Sequence, residues 1–437
     1  MKDIIKTILY EWKERKLPIV IERDFDISDY LTLEPKKIIL IHGFRRVGKT
    51  YFVFQTIQKL LSEYTREQVL YLNFEDERIP QKTEFLSALI PTIKETYKDA
   101  IKFLFLDEVQ NIPHYSKWLR RIYDEEQGIR IIVTGSSSKI SSKEIPTELR
   151  GREMEIQFSP LAFKEYLRFK NIAVDENAVR YAEDQKAVAL KALNEYILYG
   201  GLPEVVLMRE EKRLELIQQY YATVLRKDIA DRFHLRNEEG LKALVRILLT
   251  SPSFSISKLY NTMKSLNYAI GKSTIQRYVG YLVNAYFLYP VPIFSWTIKD
   301  QLQYPRKAYF VDNGFITALS TRVSDNWGRL YENAAYSELM RRTHGNIFYW
   351  KNAQKKEVDF VLHNGEKVRG LVQACYRVDD RDTYKREVSA LISGSEQLHC
   401  ANLTIINESE EGEKQFMRHG HQFTISFVPL WGWLLKA

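Results

Sequence analysis

Residues 38–50, IILIHGFRRVGKT, restrict what this chain can become more than any other stretch. Ile38 to Ile41 read as a buried strand, Gly43 to Gly48 as a tight loop, and Thr50 onward as a helix whose apolar residues include Phe52, Phe54, Ile57, Leu60 and Leu61. The loop fits G-x-x-x-x-G-K-[ST], a pattern that wraps the phosphates of a nucleoside triphosphate in backbone N–H groups. Gly43 and Gly48 allow close backbone approach, Lys49 reaches the β- and γ-phosphates, and the Thr50 hydroxyl holds Mg²⁺. The expected nucleotide-binding set is therefore Gly43, Phe44, Arg45, Arg46, Val47, Gly48, Lys49, Thr50 and Tyr51, with ATP and Mg²⁺ as cofactors.

With 437 residues and 45% hydrophobic content, the chain is long enough for several domains, each with its own core. No apolar run approaches the roughly 20 residues that span a bilayer. The longest, near Tyr281 to Phe294, is broken by Asn284, Pro290 and Pro292, so no membrane partner is expected. Asp3, Lys6 and Glu11 interrupt the start of the chain, which reads as an amphipathic helix with Ile4, Ile5, Ile8, Leu9 and Trp12 on one face rather than as a signal peptide. Two cysteines, Cys375 and Cys400, make neither a zinc site nor a disulfide framework, and a cytoplasmic setting is the expectation. A net charge of +8 is compatible with a polyanionic partner such as DNA, and equally with solvated basic faces.

Further along, Val69 to Phe74 is a second apolar strand, followed by a polar helical stretch. Ile101 to Gln110 then reads as a buried strand delivering Asp107 and Glu108 at its carboxyl end, where ligands sit in open α/β sheets. Asp107 is suited to hold Mg²⁺ and Glu108 to polarise the water that attacks the γ-phosphate. One strand lies between the phosphate loop and this acidic pair in sequence, an order expected when the two strands are separated in the sheet by an additional strand. Arg130 to Ser136 ends in hydroxyl groups at the same rim, and either Ser136 or Thr134 is a candidate to sense the γ-phosphate or position the water.

The segments Gly43 to Thr50, Leu104 to Gln110, Val133 to Ser137, Leu149-Arg-Gly-Arg152, Phe158 to Leu167 and Tyr199-Gly-Gly-Leu-Pro203 together resemble the archaeal and bacterial AAA-type ATPases that carry a winged-helix domain and a C-terminal restriction-endonuclease-like domain. The likeness runs from about residue 15 to the C-terminus. It implies an α/β fold: a P-loop ATPase parallel sheet with a helical lid, then a winged helix and an α/β restriction-endonuclease-like domain. The expected divisions are a lead-in at 1–36, the ATPase core at 37–158, the lid at 159–231, the winged helix-turn-helix at 232–322 and the last domain at 323–437. By the same resemblance Arg150 and Arg152, preceding the strand Glu155 to Phe158, are candidates for a finger that reaches a neighbouring subunit's nucleotide, which implies a homo-oligomer. A surface pair salt-bridged to Glu148 or Glu153 is the alternative.

In the lid, the expected core positions are Tyr166, Leu167, Tyr181, Leu190, Leu193, Tyr196, Ile197, Ile217, Tyr220 and Val224. Beyond it, helices at Leu241 to Leu249, Ile256 to Met263 and Ser273 to Leu282, the last with Ser273 as N-cap, precede an extended segment at Phe287 to Ile293. That layout makes Lys272, Ser273, Thr274, Gln276 and Arg277 the DNA-binding candidates, although winged helices also serve as protein–protein modules. The αβββαβ succession after Asn326 resembles the restriction-endonuclease core, with Glu338, Asp359 and Gln373 at its metal-binding positions. Cys375 stands where that family has its catalytic lysine, and a neutral thiol does not supply the charge that activates water; Lys385 or Arg386 is the nearest replacement. The expected activity is a Mg²⁺-dependent ATPase that acts on or with DNA, the alternatives being an ATP-gated switch for a protein partner and a metal-dependent nuclease.

Overall fold

β-Branched and aromatic runs with no polar alternation belong in parallel sheets buried on both faces, and two such runs lie at the centre of the N-terminal part of the chain. A computed structural model describes residues 1–98, 100–136, 148–320, 327–343, 346–377 and 381–436. Ser137 and the expected boundaries at Asn326 and at 322–323 lie outside the described residues. Two compact units divide the chain: Met1–Ser159 with Asn284–Tyr286, and Pro160–Val283 with Phe287–Ala437.

In the first unit, β1 (Ile38–His42), β2 (Val69–Asn73), β3 (Phe103–Asp107), β4 (Arg130–Gly135) and β5 (Glu153–Gln157) form a parallel sheet of order β2-β3-β4-β1-β5. Every residue of β1 and β3 is buried. β4 lies between the phosphate-loop strand and the acidic strand, as the order of elements in the sequence implied. The pairing sets Asp107 beside Thr134, and His42 beside both Gly135 and Gln157, so the carboxyl ends of these four strands finish on one rim. Helix α1 (Lys2–Glu14) buries Ile5, Leu9 and Trp12, and the Trp12 indole N–H donates to the Val69 carbonyl at 2.8 Å. Helix α2 (Lys49–Leu60) follows the loop directly. The stretch after β2 that reads as polar forms α3 (Thr83–Tyr97) and buries Phe85, Leu86, Leu89, Ile90 and Ile93; its charged residues occupy only the outer face. Helix α4 (Tyr115–Glu125) joins β3 to β4.

The second unit begins with helices α5 (Phe163–Phe169), α6 (Glu183–Tyr199) and α7 (Glu210–Thr223). Most of the expected core positions are buried here, but Tyr181 is 87% exposed. The backbone turns extended at Ala182, which breaks the helical phase between Tyr181 and the face carrying Leu193 and Tyr196. Three helices follow, α8 (Glu238–Thr250), α9 (Ile256–Ser265) and α10 (Lys272–Asn284), with a small antiparallel sheet of β6 (Ser253–Phe254), β8 (Arg306–Phe310) and β7 (Leu288–Val291). Ser273 is not the N-cap of α10. The helix starts one residue earlier, and the Gly271 carbonyl accepts from the amides of Thr274 and Ile275.

Beyond α11 (Asn313–Leu319) and α12 (Trp327–Thr343) lies a six-stranded mixed sheet of order β13-β14-β12-β11-β10-β9. Its strands are β9 (Ile347–Lys351), β10 (Glu357–His363), β11 (Val368–Ala374), β12 (Leu403–Asn407), β13 (Gly412–Arg418) and β14 (His421–Pro429). Helix α13 (Arg381–Leu398) covers β10 and β11, packing Val388 and Leu391 with Val358, Val361 and Leu371. The hairpin β13–β14 and the closing helix α14 (Leu430–Leu435) extend the αβββαβ succession beyond its expected end.

The Gly200-Gly201 pair has a specific packing cause. Gly200 has φ +76°, and a Cβ there would stand 1.7 Å from Asp312 Oδ1. The Asp312 carboxylate is buried, accepts from Gly201 N at 2.7 Å and from Gly314 N at 2.8 Å, and caps α11. Burial pushes its pKa up to about 6, against the pull of these two amides. Since the folded value exceeds the unfolded one near 4, this carboxyl favours folding when protonated, and that contribution is lost as pH rises through about 6. Gly200→Ala is expected to cost about 2 kcal/mol or more in a denaturant melt, through left-handed strain and the clash with Asp312. Asp312→Asn is expected to flatten the fall in melting temperature between pH 4 and pH 7 relative to the parent.

Candidate nucleotide site

Strand register does most of the assembly. β1 ends at His42, and the chain turns at Gly43 with φ +154° so close to the neighbouring backbone that a Cβ would lie 2.2 Å from the Phe158 carbonyl oxygen. Only glycine fits this approach. Phe44 and Val47 are fully buried and anchor the loop, so of these two residues only the backbone is available to a ligand; Arg46 and Tyr51 are exposed. Lys49 is buried, and its ammonium donates to the carbonyls of Gly43 and Phe44 at 3.0 Å each. Arg23, absent from the sequence expectations, braces the loop from outside. Its guanidinium donates to Val47 O at 3.0 Å and Ser159 O at 2.9 Å, while the Gln55 amide clasps its backbone N–H and C=O.

Asp107 is buried to 3% exposure at the end of β3. Thr50 Oγ1 donates to its Oδ2 at 2.8 Å, Tyr71 OH to the same oxygen at 2.9 Å, and Thr134 Oγ1 to Oδ1. Among the described residues no cationic side chain pairs with this carboxylate. A buried acid served only by hydroxyls, next to a threonine at a helix start, is a hard-oxygen donor set, and it fits Mg²⁺. Tyr71 and Thr134 reach it because β2 and β4 flank β3. Thr134 was a candidate phosphate sensor by sequence; it faces Asp107 instead.

Glu108 follows in the left-handed region at φ +57°, which turns its side chain away from that of Asp107. Its Oε2 accepts from Ser136 Oγ at 3.2 Å, from the Ser136 amide at 3.4 Å, and from Gln110 Nε2. Burial pushes its pKa up; the Lys49 charge opposes this, and Asp107 and Glu75 add to it. Gln110 Oε1 is buried with no hydrogen-bond partner among the described residues. Tyr71, Gln110 and Arg23 carried no motif signal, because their function in this geometry is to orient other side chains.

Arg152 does not pair with Glu148 or Glu153. It donates to Asp124 Oδ1 at 2.9 Å and to Leu149 O at 3.2 Å, since α4 runs beside the start of β5. Arg150 is exposed, has φ +51°, and forms no side-chain bond with another described residue. On α10, Lys272, Ser273, Gln276 and Arg277 are exposed along one face, with Thr274 half-buried beside them. Lys272 lies 5.5 Å over the Tyr260 ring, and Arg277 donates to Thr274 Oγ1 at 3.2 Å.

Of the expected metal positions in the C-terminal part, Asp359 and Gln373 meet, while Glu338 and Cys375 are engaged by other partners. Glu338 is held by Arg341 at 2.7 Å and Arg342 at 3.0 Å. The helix glutamate that joins Asp359 is Glu332, because six residues turn the helix by about 240° and carry position 338 to another face. Gln373 accepts from the Asp359 amide at 3.1 Å and donates to Glu387, and Cys375 donates to Arg377 O at 3.0 Å with its thiol pushed up to about 12, chiefly by burial. Arg386 pairs with Glu387 at 2.6 Å, and Lys385 is exposed. The cation on Asp359 is instead Lys307, from β8. Burial alone lowers its pKa, but Asp359, Glu332, Tyr309 and Glu357 outweigh that and hold it well above the ordinary lysine range. No helix among the described residues is long and apolar enough to cross a membrane.

A family model described as an AAA domain matches residues 35–167, and two domains of unknown function, DUF8612 and DUF4143, match 190–326 and 327–419. An uncharacterized protein of Haemophilus influenzae is 27% identical over 84% of this chain and 92% of its own. Among solved structures, the Aeropyrum pernix ORC1 protein in complex with DNA aligns at 14% identity over 72% of this chain and 91% of that one, with a TM-score of 0.30. The AMPPCP-bound DnaA of Aquifex aeolicus aligns at 12% identity over 59% and 85%, with a TM-score of 0.26. An uncharacterized protein of Methanocaldococcus jannaschii is 36% identical over 429 residues, 95% of this chain and 91% of that protein. The chain therefore belongs to the family of this M. jannaschii protein, and it carries an AAA-type P-loop ATPase domain.

Proposed function

We propose that the protein is a Mg²⁺-dependent ATPase that couples ATP binding and hydrolysis to movement of a helical lid and a winged helix, acting with DNA as an oligomer. The observation that supports this most is the meeting of Thr50, Asp107, Glu108 and Ser136 on one sheet rim beside the glycine-flanked loop.

In this reading the backbone N–H groups of residues 43–50 orient the triphosphate, and the Lys49 ammonium exchanges the Gly43 and Phe44 carbonyls for phosphate oxygens, a stronger, charge-assisted bond. Thr50 and Asp107 hold Mg²⁺, which when bound offsets negative charge on the phosphate oxygens. Glu108 accepts a hydrogen bond from the attacking water, its basicity raised by burial, and Gln110 Oε1 is the second acceptor that fixes the water's orientation. Ser136 bonds Glu108 through both its amide and its hydroxyl, so a change of partner at this carboxylate is felt at the exit of β4. Arg150, exposed and without a bond to another described residue, is assigned to the nucleotide of a neighbouring subunit, while Arg152 is committed to Asp124.

DNA contact is assigned to Lys272, Ser273, Gln276 and Arg277, with Thr274 orienting Arg277. A second reading, an ATP-gated switch for a protein partner, is favoured by a different observation. Trp296, Ile298, Leu302 and Tyr304 expose 67%, 73%, 66% and 52% of their surfaces within nine residues, an apolar patch of the kind that proteins bind.

Lys49→Ala is expected to abolish ATP turnover, and undiminished turnover would refute the site. Glu108→Gln is expected to keep ATP bound in a filter-binding assay while lowering kcat about 10²-fold or more; an unchanged kcat would remove Glu108 from the chemistry. Duplex DNA binding is expected to weaken steeply between about 50 and 200 mM salt, as binding through phosphate contacts does, and to be lost in Lys272→Ala/Arg277→Ala. No binding at low salt decides for the protein-partner reading.

A further inference from the structure

Lys307 is 4% exposed on β8, and its ammonium touches carboxylates from two further elements. Nζ lies 2.6 Å from Asp359 Oδ1, 3.0 Å from Glu357 Oε1, both on β10, and 2.9 Å from Glu332 Oε1 on α12. An ammonium has three donors, and here three acids take them. The remaining contacts lock the acids in place. Tyr309 OH donates to Glu332 Oε1 at 2.6 Å, the Ala374 amide to Asp359 Oδ2 at 3.0 Å, and Lys351 to Glu357 Oε2 at 2.8 Å.

This is the region in which the αβββαβ layout implied a divalent cation, and the residues do not fit one. Cys375 and Glu338 are engaged elsewhere, and Gln373 is held between the Asp359 amide and Glu387. Among the described residues no three His, Cys, Asp or Glu side chains are arranged to hold a metal ion. The acids surround a nitrogen at 2.6–3.0 Å, where a small divalent ion would draw the same oxygens in to roughly 2.0–2.6 Å.

We infer that Lys307 is a built-in cation standing in the place of a divalent ion, so that the C-terminal sheet keeps its carboxylates together without metal, and that loss of the ammonium turns Glu332, Glu357 and Asp359 into a site for a divalent cation. The lysine comes from the strand before α12, not from the sheet that carries Asp359. The ammonium is therefore a tie as well as a counter-charge, binding β8, α12 and β10 at one atom.

The experiment counts Mn²⁺ bound per full-length chain by electron paramagnetic resonance, without nucleotide. The count is expected to be the same in the parent and Asp359→Asn, to rise by one in Lys307→Met, and to return to the parent value in Lys307→Met/Asp359→Asn. Lys307→Arg, which keeps a cation, is expected to gain no ion. A parent count that falls on Asp359→Asn overturns the proposal, as does a folded Lys307→Met that binds no extra Mn²⁺. If Lys307→Met is unfolded in metal-free buffer, Mn²⁺ is expected to restore cooperative melting; a variant that stays unfolded in Mn²⁺ while Lys307→Arg folds also overturns it.

Discussion

Asp107 is the constraint around which the first unit is arranged. A carboxylate taken out of water costs several kcal/mol unless its lone pairs are filled, and here three hydroxyls fill them without neutralising its charge. Each hydroxyl comes from a different element: Thr50 from α2, Tyr71 from β2 and Thr134 from β4. They converge only if β2, β3 and β4 are adjacent, in register, with the phosphate loop at the same end. A one-residue slip between β3 and β4 would send Thr134 to the opposite face of the sheet. The parallel order and the position of β4 between β1 and β3 are thus tied to one side chain, which keeps its negative charge at the rim where Glu108 turns the other way.

How much of this was legible in the sequence depended on whether the signal was local. β1 and β3 declared themselves as unbroken apolar runs, and the loop as a spaced glycine pair with Lys49. The αβββ succession of the last sheet was equally readable, because Asn364-Gly365 marks its hairpin and the flanking strands are apolar. By contrast β13, GEKQFMR, is an exposed edge strand with neither period-two patterning nor an apolar face, and its pairing with β14 supplies the order its composition does not. The site residues that escaped were long-range or phase-dependent. Lys307 is 52 residues from Asp359, and nothing near it distinguishes it from a surface lysine. Glu338 and Glu332 differ only in helical phase, which a sequence read without α12's neighbours does not orient. Gly200-Gly201 stood out as a motif, but the cause was Asp312, over a hundred residues away.

Three buried aspartates therefore show three solutions to the same electrostatic difficulty. Asp312 is met by two backbone amides and pays for its burial with an elevated pKa; its carboxylate leaves no room even for a methyl group at Gly200. Asp359 is met by an ammonium that two glutamates share, so its counter-charge is covalently part of the chain. Among the described residues Asp107 is met by hydroxyls alone. Hydroxyl dipoles stabilise an anion but carry no net charge, so Asp107 retains the attraction for an external cation that Lys307 takes up at Asp359 and that the raised pKa and the Arg341 charge weaken at Asp312. The distinction lies in the partners rather than in the acid, since residue type and burial are the same in each case. It follows that the presence of clustered carboxylates in the C-terminal sheet says little about metal chemistry there, whereas one carboxylate with no ion-pair partner among the described residues, bonded to Thr50, says a good deal.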